Sequence, residues 1–342
     1  MDVPDGTSKS QNSNFQKPTS QRANLALWDF GVLALGILAL CACVPSTRPS
    51  IKIGVVAPFE GRYRQIGEEI IYAVRLAVRE ANESGGIKGY TIELMAFDDG
   101  GDPAQAEEQA RKLATDPQVV GAIGNWLDST TLAAALVLAD SGIPFLATTS
   151  SPDLDPSAFR LWLTDPAYLA AAPDSRHCPL PCDSLENLDW FTNPQLPITN
   201  YQRSGPPLWG LTQFPRLAGD AAEGVFVITP SPLPAESSDP SFADRYRAIS
   251  PGVEPRFLAV LAYDATRILF DAISRDIQSN RMPTRSGVET ALAQTDYNAL
   301  SGHFSFNADR DWSEAAGWVY QWHNGQLIEP WGTHPIPSPH LR

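Results

Sequence analysis

Several groups of residues have types and spacings that could do chemistry. Asp98, Asp99 and Asp102 lie close together in FDDGGDP, and three carboxylates invite a calcium ion. Their spacing is not that of an EF-hand loop, so no metal is expected there. His177-Cys178-Pro179-Leu180-Pro181-Cys182 invites zinc. A structural zinc takes four ligands, and only three lie near. In an exported chain a Cys178–Cys182 disulfide fits better, with free thiols as the alternative. Asp128-Ser129-Thr130-Thr131 and Thr148-Thr149-Ser150 are hydroxyl-rich, and each follows an apolar run. Catalysis needs a nucleophile, a base and a group that orients them. The 5 histidines (177, 303, 323, 334 and 340) sit near no GxSxG nucleophile turn, and no GxxxxGK[ST] phosphate loop occurs. Neither an enzyme nor a cofactor is expected.

The elements that must position these residues alternate between two periodicities. IKIGVVA (51–57) is a continuous apolar run, suited to a strand buried on both faces. Residues 67–83 have helical spacing, with Ile70, Ile71, Val74, Leu76, Ala77 and Val78 on one face and Glu68, Glu69, Arg75 and Arg79 interleaved. Gly85-Gly86 stops that helix. TIELMAF (91–97) reads as a strand, and Pro103 opens a helix to about Leu113. VVGAIG (119–124) is a third strand. Asp128 and the hydroxyls after it offer N-caps for a helix to about Ala139. PFLA (144–147) is a fourth strand. Repeated strand–helix–strand units of this length predict an α/β fold with a parallel sheet. Ligands then sit beyond the carboxyl ends of the strands, here Pro58–Gly61, Asp98–Asp102, Asn125–Asp128 and Thr148–Ser151. Further on, GVFVITP (224–230) reads as a strand. Phe242–Ile249, Phe257–Ser274 and Val288–Ala293 read as helices, and GHFSFN (302–307) as a strand. Residues 318–328 read as a hairpin turning at Asn324-Gly325.

The chain has 342 residues, with 25 Lys and Arg against 39 Asp and Glu, for a net charge of −14. That balance argues against a nucleic-acid backbone as partner. Hydrophobic residues make up 43%, enough for a real core. Of the 30 prolines, 17 fall between Pro152 and Pro255, and residues 165–206 show no clear period. Near the N-terminus, FGVLALGILALCACV (30–44) is too short for a comfortable membrane span but suits a secretory signal. Its end, Leu40-Cys41-Ala42-Cys43, resembles a bacterial lipobox. Cys43 is the better lipidation site, since Leu40 is too large a residue to precede the cleaved Cys41. Two or more acyl chains would anchor the chain stably. The expectation is a signal over 1–42, a tether over 43–50, and a protein held at the outer face of the cytoplasmic membrane or in the periplasm.

IKIGVVAPFEGRYRQIGEEI and NESGGIKGYTIELMAFDDGGDPAQAEEQARKL resemble the opening of the branched-chain amino-acid binding proteins, the type I periplasmic substrate-binding proteins of ABC importers. AIGNWLDSTTLAAALVLADSGIPFLATTSSPDL, LAGDAAEGVFVITP, LAYDATRILFDAI and SGHFSFNADRDWSEAAGWVYQWHNG continue the match in the same order. The resemblance implies two α/β lobes with parallel sheets joined by three crossings, closing on a small ligand without chemistry. It places lobe one at 51–160 plus 256–320, lobe two at 161–255 plus 321–330, and a loose tail at 331–342. Crossings fall near Phe159–Thr164, Ser250–Arg256 and Val319–His323.

By the same resemblance, the ligand meets Trp126, Leu127, Asp128 and Ser129 in one loop and Thr148, Thr149 and Ser150 in another. Ile66 matches a position where the family often has an aromatic wall, although core packing explains it equally well. Asp128 reads either as a helix N-cap or as the sign of a ligand head group other than a carboxylate. Trp126 could stack on a ligand or pack in the core, and Trp209 is the aromatic of lobe two nearest the cleft. Only 165–206 fills a stretch where the family has several βα units, so a shortened second lobe is expected. The implied partners are a small ligand, an amino acid or amide, and an ABC permease, with the chain itself a monomer. The alternative is an interaction or sensor domain that encloses no ligand.

Overall fold

The computed structural model describes residues 48–164, 176–177, 203–330 and 336–337. The calls on Cys43, Cys178 and Cys182, on the leader, and on most of 165–206 lie outside the described residues. Strand β1 (Ser50–Ala57) is flanked by β2 (Thr91–Asp98) and β3 (Val119–Gly124). β4 (Phe145–Ala147) and β5 (Phe159–Arg160) extend the sheet to the order β2-β1-β3-β4-β5, parallel throughout. The unbroken apolar run of β1 is explained by this central place, because helices cover both faces.

On one face, α1 (Arg64–Glu83) packs against a long helix that follows much later in the chain, Phe257–Asn280. On the other, α2 (Pro103–Ala114) packs against α3 (Asp128–Asp140). Glycines let these layers approach the sheet. A Cβ on Gly54 would stand 2.6 Å from Leu113 Cδ1, and one on Gly121 would stand 2.6 Å from Leu269 Cδ1. The register sets Ala57 level with Asp98, Val56 with Gly124, and Gly124 with Ala147. The loops that leave these strands therefore emerge side by side along one edge.

A second sheet is built from β6 (Arg176–His177), β7 (Arg203–Gly205), β8 (Phe226–Thr229), and two later strands, Ala316–His323 and Gln326–Ile328. It is mixed rather than parallel as expected. β6, β7 and β8 run parallel, but Ala316–His323 pairs antiparallel with β8 and with the strand that follows it. The pairing with the strand that follows has a local reason: Asn324 and Gly325 have φ of 50° and 72°, the left-handed pair that a two-residue hairpin turn requires. The pairing with β8 joins residues about 90 apart in the chain and is set by the tertiary structure. The short helix α4 (Gln213–Ala218) covers this sheet through Phe214, stacked on Trp209 at 4.9 Å. Gly205 makes room for the Trp209 ring, which a Cβ would meet at 1.9 Å.

Helix α5 (Phe242–Arg247), expected in lobe two, packs against α1. The Tyr246 ring lies 6.1 Å from that of Tyr72, and its hydroxyl donates to the Glu69 carbonyl at 2.7 Å. Next come α6 (Phe257–Asn280) and α7 (Arg285–Leu292), then the β9–β10 hairpin (Tyr297–Ala299 and Gly302–Phe304). β11 is Ala316–His323 and β12 is Gln326–Ile328. In the tail, β13 (Ile336–Pro337) pairs antiparallel with the start of β11. Among the described residues no helix is long and apolar enough to cross a membrane.

Candidate functional site

Two loops meet at the carboxyl edge of the first sheet, one after β3 and one after β4. The first is short because α3 begins almost where β3 ends. Asp128 is the first helical residue rather than the N-cap; Leu127 holds the cap position and makes no side-chain capping bond. The N–H groups of that first turn have no intrahelical acceptor and sit at the positive end of the helix dipole.

Instead of capping, the Asp128 carboxylate crosses to the second loop. It accepts a hydrogen bond from the Thr149 hydroxyl, one from the Ser150 N–H at 3.1 Å, and one from the Ser150 hydroxyl at 3.4 Å. Thr148 binds in the other direction, accepting from the Trp126 N–H at 2.9 Å, while its own N–H donates to the Gly124 carbonyl at 3.0 Å. The structure therefore brings Trp126, Asp128, Thr148, Thr149 and Ser150 together. Ser129 is exposed on the first turn of α3, and Asp128 and Ser150 are half-buried. Ile66 is fully buried on α1 in the same apolar cluster as Trp126 and Leu127, which supports the core-packing reading.

Trp126 lies in the core at 2% exposure, with φ of 79°. Its indole Nε1 has no hydrogen-bond partner among the described residues, nor does Oδ1 of the neighbouring, fully buried Asn125. A buried donor and a buried acceptor without partners are uncommon, and each costs about 1–3 kcal/mol. The Asn125 amide nitrogen donates to Asp99 Oδ2 at 2.9 Å.

Backbone donors account for the acidic cluster. Asp98 Oδ1 accepts from the N–H groups of Phe59 at 2.7 Å, Glu60 at 3.1 Å and Gly100 at 3.0 Å. Asp99 Oδ1 accepts from the Gly101 N–H at 2.9 Å. Asp102 caps α2 through the Gln105 N–H at 2.8 Å. Burial pushes the Asp99 carboxyl up to about 6, against the Gly101 and Asn125 hydrogen bonds that favour its charged form. No metal-binding group of His, Cys, Asp and Glu occurs among the described residues.

Sequence reasoning missed Arg160. Buried at 6% exposure, its guanidinium donates to the carbonyls of Thr149 at 2.9 Å and Ser151 at 2.7 Å, and to Asp311 Oδ1 at 2.7 Å. It fixes the loop after β4 from below. The available signal was a lone charge inside the apolar run AFRLWL. Trp209, read as the aromatic nearest the cleft, is fully buried in the core of the second sheet, where its carbonyl accepts from Trp322 Nε1 at 2.8 Å.

The arrangement holds helix-terminal N–H groups, one carboxylate with the Thr149 and Ser150 hydroxyls bonded to it, and one buried indole N–H. These can orient a polar molecule.

Residues 50–175 match the periplasmic binding protein family. Over 132 residues the chain is 30% identical to the Leu/Ile/Val-binding protein of Escherichia coli K12, covering 38% of this chain and 36% of the relative. Over 113 residues it is 29% identical to an amino acid binding protein of Pseudomonas aeruginosa, covering 33% and 30%. The chain thus spans about a third of the length of these relatives. Among solved structures, it superposes on the branched-chain amino acid transporter substrate binding protein LivJ of Streptococcus pneumoniae, in complex with isoleucine. The TM-score is 0.68 at 18% identity, covering 84% of this chain and 99% of the other. A solute binding protein of R. palustris in complex with benzoate superposes with a TM-score of 0.62 at 15% identity, covering 82% and 95%. The resemblance to branched-chain amino-acid-type substrate-binding proteins is borne out, and the chain has the type I periplasmic-binding-protein fold.

Proposed function

We propose that this protein is an extracytoplasmic solute-binding lipoprotein, tethered through Cys43, that captures a small polar metabolite for an ABC importer. Capture is closure of two lobes over the ligand. The observation that carries this reading is the convergence of the α3 N-terminus with the Thr148–Ser150 loop at the carboxyl edge of a parallel sheet, where such folds hold ligands.

The same geometry narrows the ligand. The hydroxyl of Thr149 and the N–H and hydroxyl of Ser150 already serve the Asp128 carboxylate. An incoming carboxylate would meet a negative charge in place of those donors. The group that faces this edge is therefore a donor, either the ammonium of an amino acid or the nitrogen of an amide.

Thermal unfolding of the chain from Val44 onward, with a panel of amino acids, amides, polyols and purines, tests this. A ligand at 100 times its Kd adds about 2.7 kcal/mol of stability. The expected result is a shift with nitrogen-donor compounds, lost in Asp128→Ala. A cooperative transition that no compound moves would count against capture and favour a ligand-free interaction domain.

A further inference from the structure

His303 on β10 has a carboxylate against each of its ring nitrogens. Nδ1 lies 2.8 Å from Glu314 Oε1, and Nε2 lies 2.8 Å from Asp296 Oδ1. Asp296 directly precedes β9, and Glu314 lies between β10 and β11. An ionised carboxylate only accepts, and a neutral imidazole carries one N–H. Both contacts are hydrogen bonds only when His303 is the doubly protonated imidazolium. With a neutral ring, one nitrogen lone pair faces a carboxylate oxygen, and that contact is repulsive. The capture reading gives these three residues no role.

Residues 303–314 form a ribbon that folds back on itself, with His303 and Glu314 meeting at its base. Further along, the Ser313 N–H donates to the Ser305 carbonyl at 2.8 Å, and Phe306 pairs antiparallel with Trp312. The Trp312 indole stacks on Phe304 at 3.9 Å and donates to the His303 carbonyl at 2.9 Å. At the tip, Asn307 Oδ1 accepts from the N–H groups of Asp309 and Asp311, both at 2.9 Å. The tip in turn holds β5. The Arg160 N–H donates to the Arg310 carbonyl at 2.9 Å, and Asp311 takes the Arg160 guanidinium. That guanidinium binds the carbonyls of Thr149 and Ser151. One continuous run of contacts therefore joins the base of the ribbon to the loop after β4.

We propose that His303 is a proton-operated clasp, which as an imidazolium bridges Asp296 and Glu314, closes the base of the ribbon and firms the support beneath Thr149–Ser151. The hydrogen bonds to Asp296 and then Glu314 hold the imidazole above its ordinary value of about 6.5, against desolvation. The contribution of the clasp is therefore complete below that ordinary value and is lost as pH rises through the raised one. The other charged groups on the elements around the ribbon are engaged. Glu289 of α7 pairs with Arg310 at 2.8 Å, and Arg267 of α6 donates to the Tyr297 hydroxyl on β9. Asp264 of α6 accepts from the N–H groups of Leu300 and Ser301 at 2.8 and 2.9 Å. Burial raises Asp264 to about 7, so it titrates close to His303 and has to be told apart from it.

An NMR titration of the full chain between about pH 5 and pH 9, with no ligand added, tests the proposal across the range in which histidine changes charge. No ligand enters it, so it stands or falls apart from the capture reading. The His303 ring signals should titrate with a midpoint above about 6.5, and the amide signals of Glu314, Asp311, Arg160 and Ser151 should step with the same midpoint. Asp296→Asn and Glu314→Gln should each lower that midpoint. His303→Gln should remove the step from all four amides, with melting curves showing that the variant is folded. A ring midpoint at or below the ordinary value would overturn the proposal. A raised midpoint with the Arg160 and Ser151 amides unmoved would confine the bridge to the surface and overturn it as well. Amide steps that persist in His303→Gln would belong to Asp264 and overturn it too.

Discussion

Two carboxylates in this molecule do a similar job in different surroundings. Asp128, at the sheet edge, takes the hydroxyls and N–H of a neighbouring loop. Glu69 on α1 takes the N–H groups of Arg256 and Ala259 at the start of α6, a helix whose own N-cap makes no side-chain bond. Asp128 is half-buried, but Glu69 is 2% exposed. Burial pushes the Glu69 carboxyl up to about 7, against Arg256 and the backbone donors that favour its charged form. Arg256 carries the linkage onward, donating to the Gly210 carbonyl at 3.1 Å and lying 5.5 Å from the Trp322 ring. The buried carboxylate is surrounded by protein and caps a helix, whereas the half-buried one stays open to solvent on one side.

The sharpest way to break this comparison is to remove each carboxylate. Glu69→Ala leaves buried N–H groups without acceptors and should cost about 3 kcal/mol in urea unfolding. Glu69→Gln keeps an acceptor and should cost less than half of that. Asp128→Ala should cost about 1 kcal/mol or less, since its partners can turn to water. Equal losses at the two positions would erase the distinction.

A smaller effect follows from pH. The folded-state values of Glu69 and Asp264 are raised to about 7, and that of Asp99 to about 6, mainly by burial. The folded state therefore holds these protons more tightly than the unfolded chain. The resulting stabilisation is complete below the ordinary carboxylate range and is lost as pH rises from about 4 to 7. The Tm should be higher at pH 5 than at pH 8, and Glu69→Gln should flatten the difference. A Tm that rises with pH over this range would contradict the assignment.

The smallest change in stability is expected for Trp126→Phe. It keeps an aromatic ring in the core and removes an N–H that has no partner. Stability should change by less than about 1 kcal/mol, because the lost packing is offset by the lost desolvation penalty. If the indole N–H serves the ligand, affinity falls several-fold in the same variant. Unchanged affinity would restrict Trp126 to packing.

Much of the first sheet was legible in the residues themselves. The runs at 51–57, 91–97 and 119–124 became β1, β2 and β3, and Pro103 opened α2 as read. The Asn324-Gly325 turn was also legible, because only a left-handed pair closes so short a hairpin. Glu69 was not, having been read with Glu68 as part of the polar face of α1. Its place three residues after Ile66 and one before Ile70 was the overlooked signal. The parallel reading of the second sheet holds for β6, β7 and β8 and not for β11, which pairs antiparallel with β8 from far along the chain.

What the sequence determined by itself is everything that burial of neighbouring residues dictates, because apolar period and turn chemistry act over a few positions. That covers the alternation of strands and helices, the parallel first sheet, and the loops at its carboxyl edge. The tertiary structure alone decided which polar groups spend their hydrogen bonds on each other. Asp128 finds Thr149 and Ser150, Arg160 finds Asp311, and Glu69 finds Ala259, a partner 190 residues away. Such partners are chosen by the register of strands and the seating of helices, and the local pattern around each residue carries no record of them.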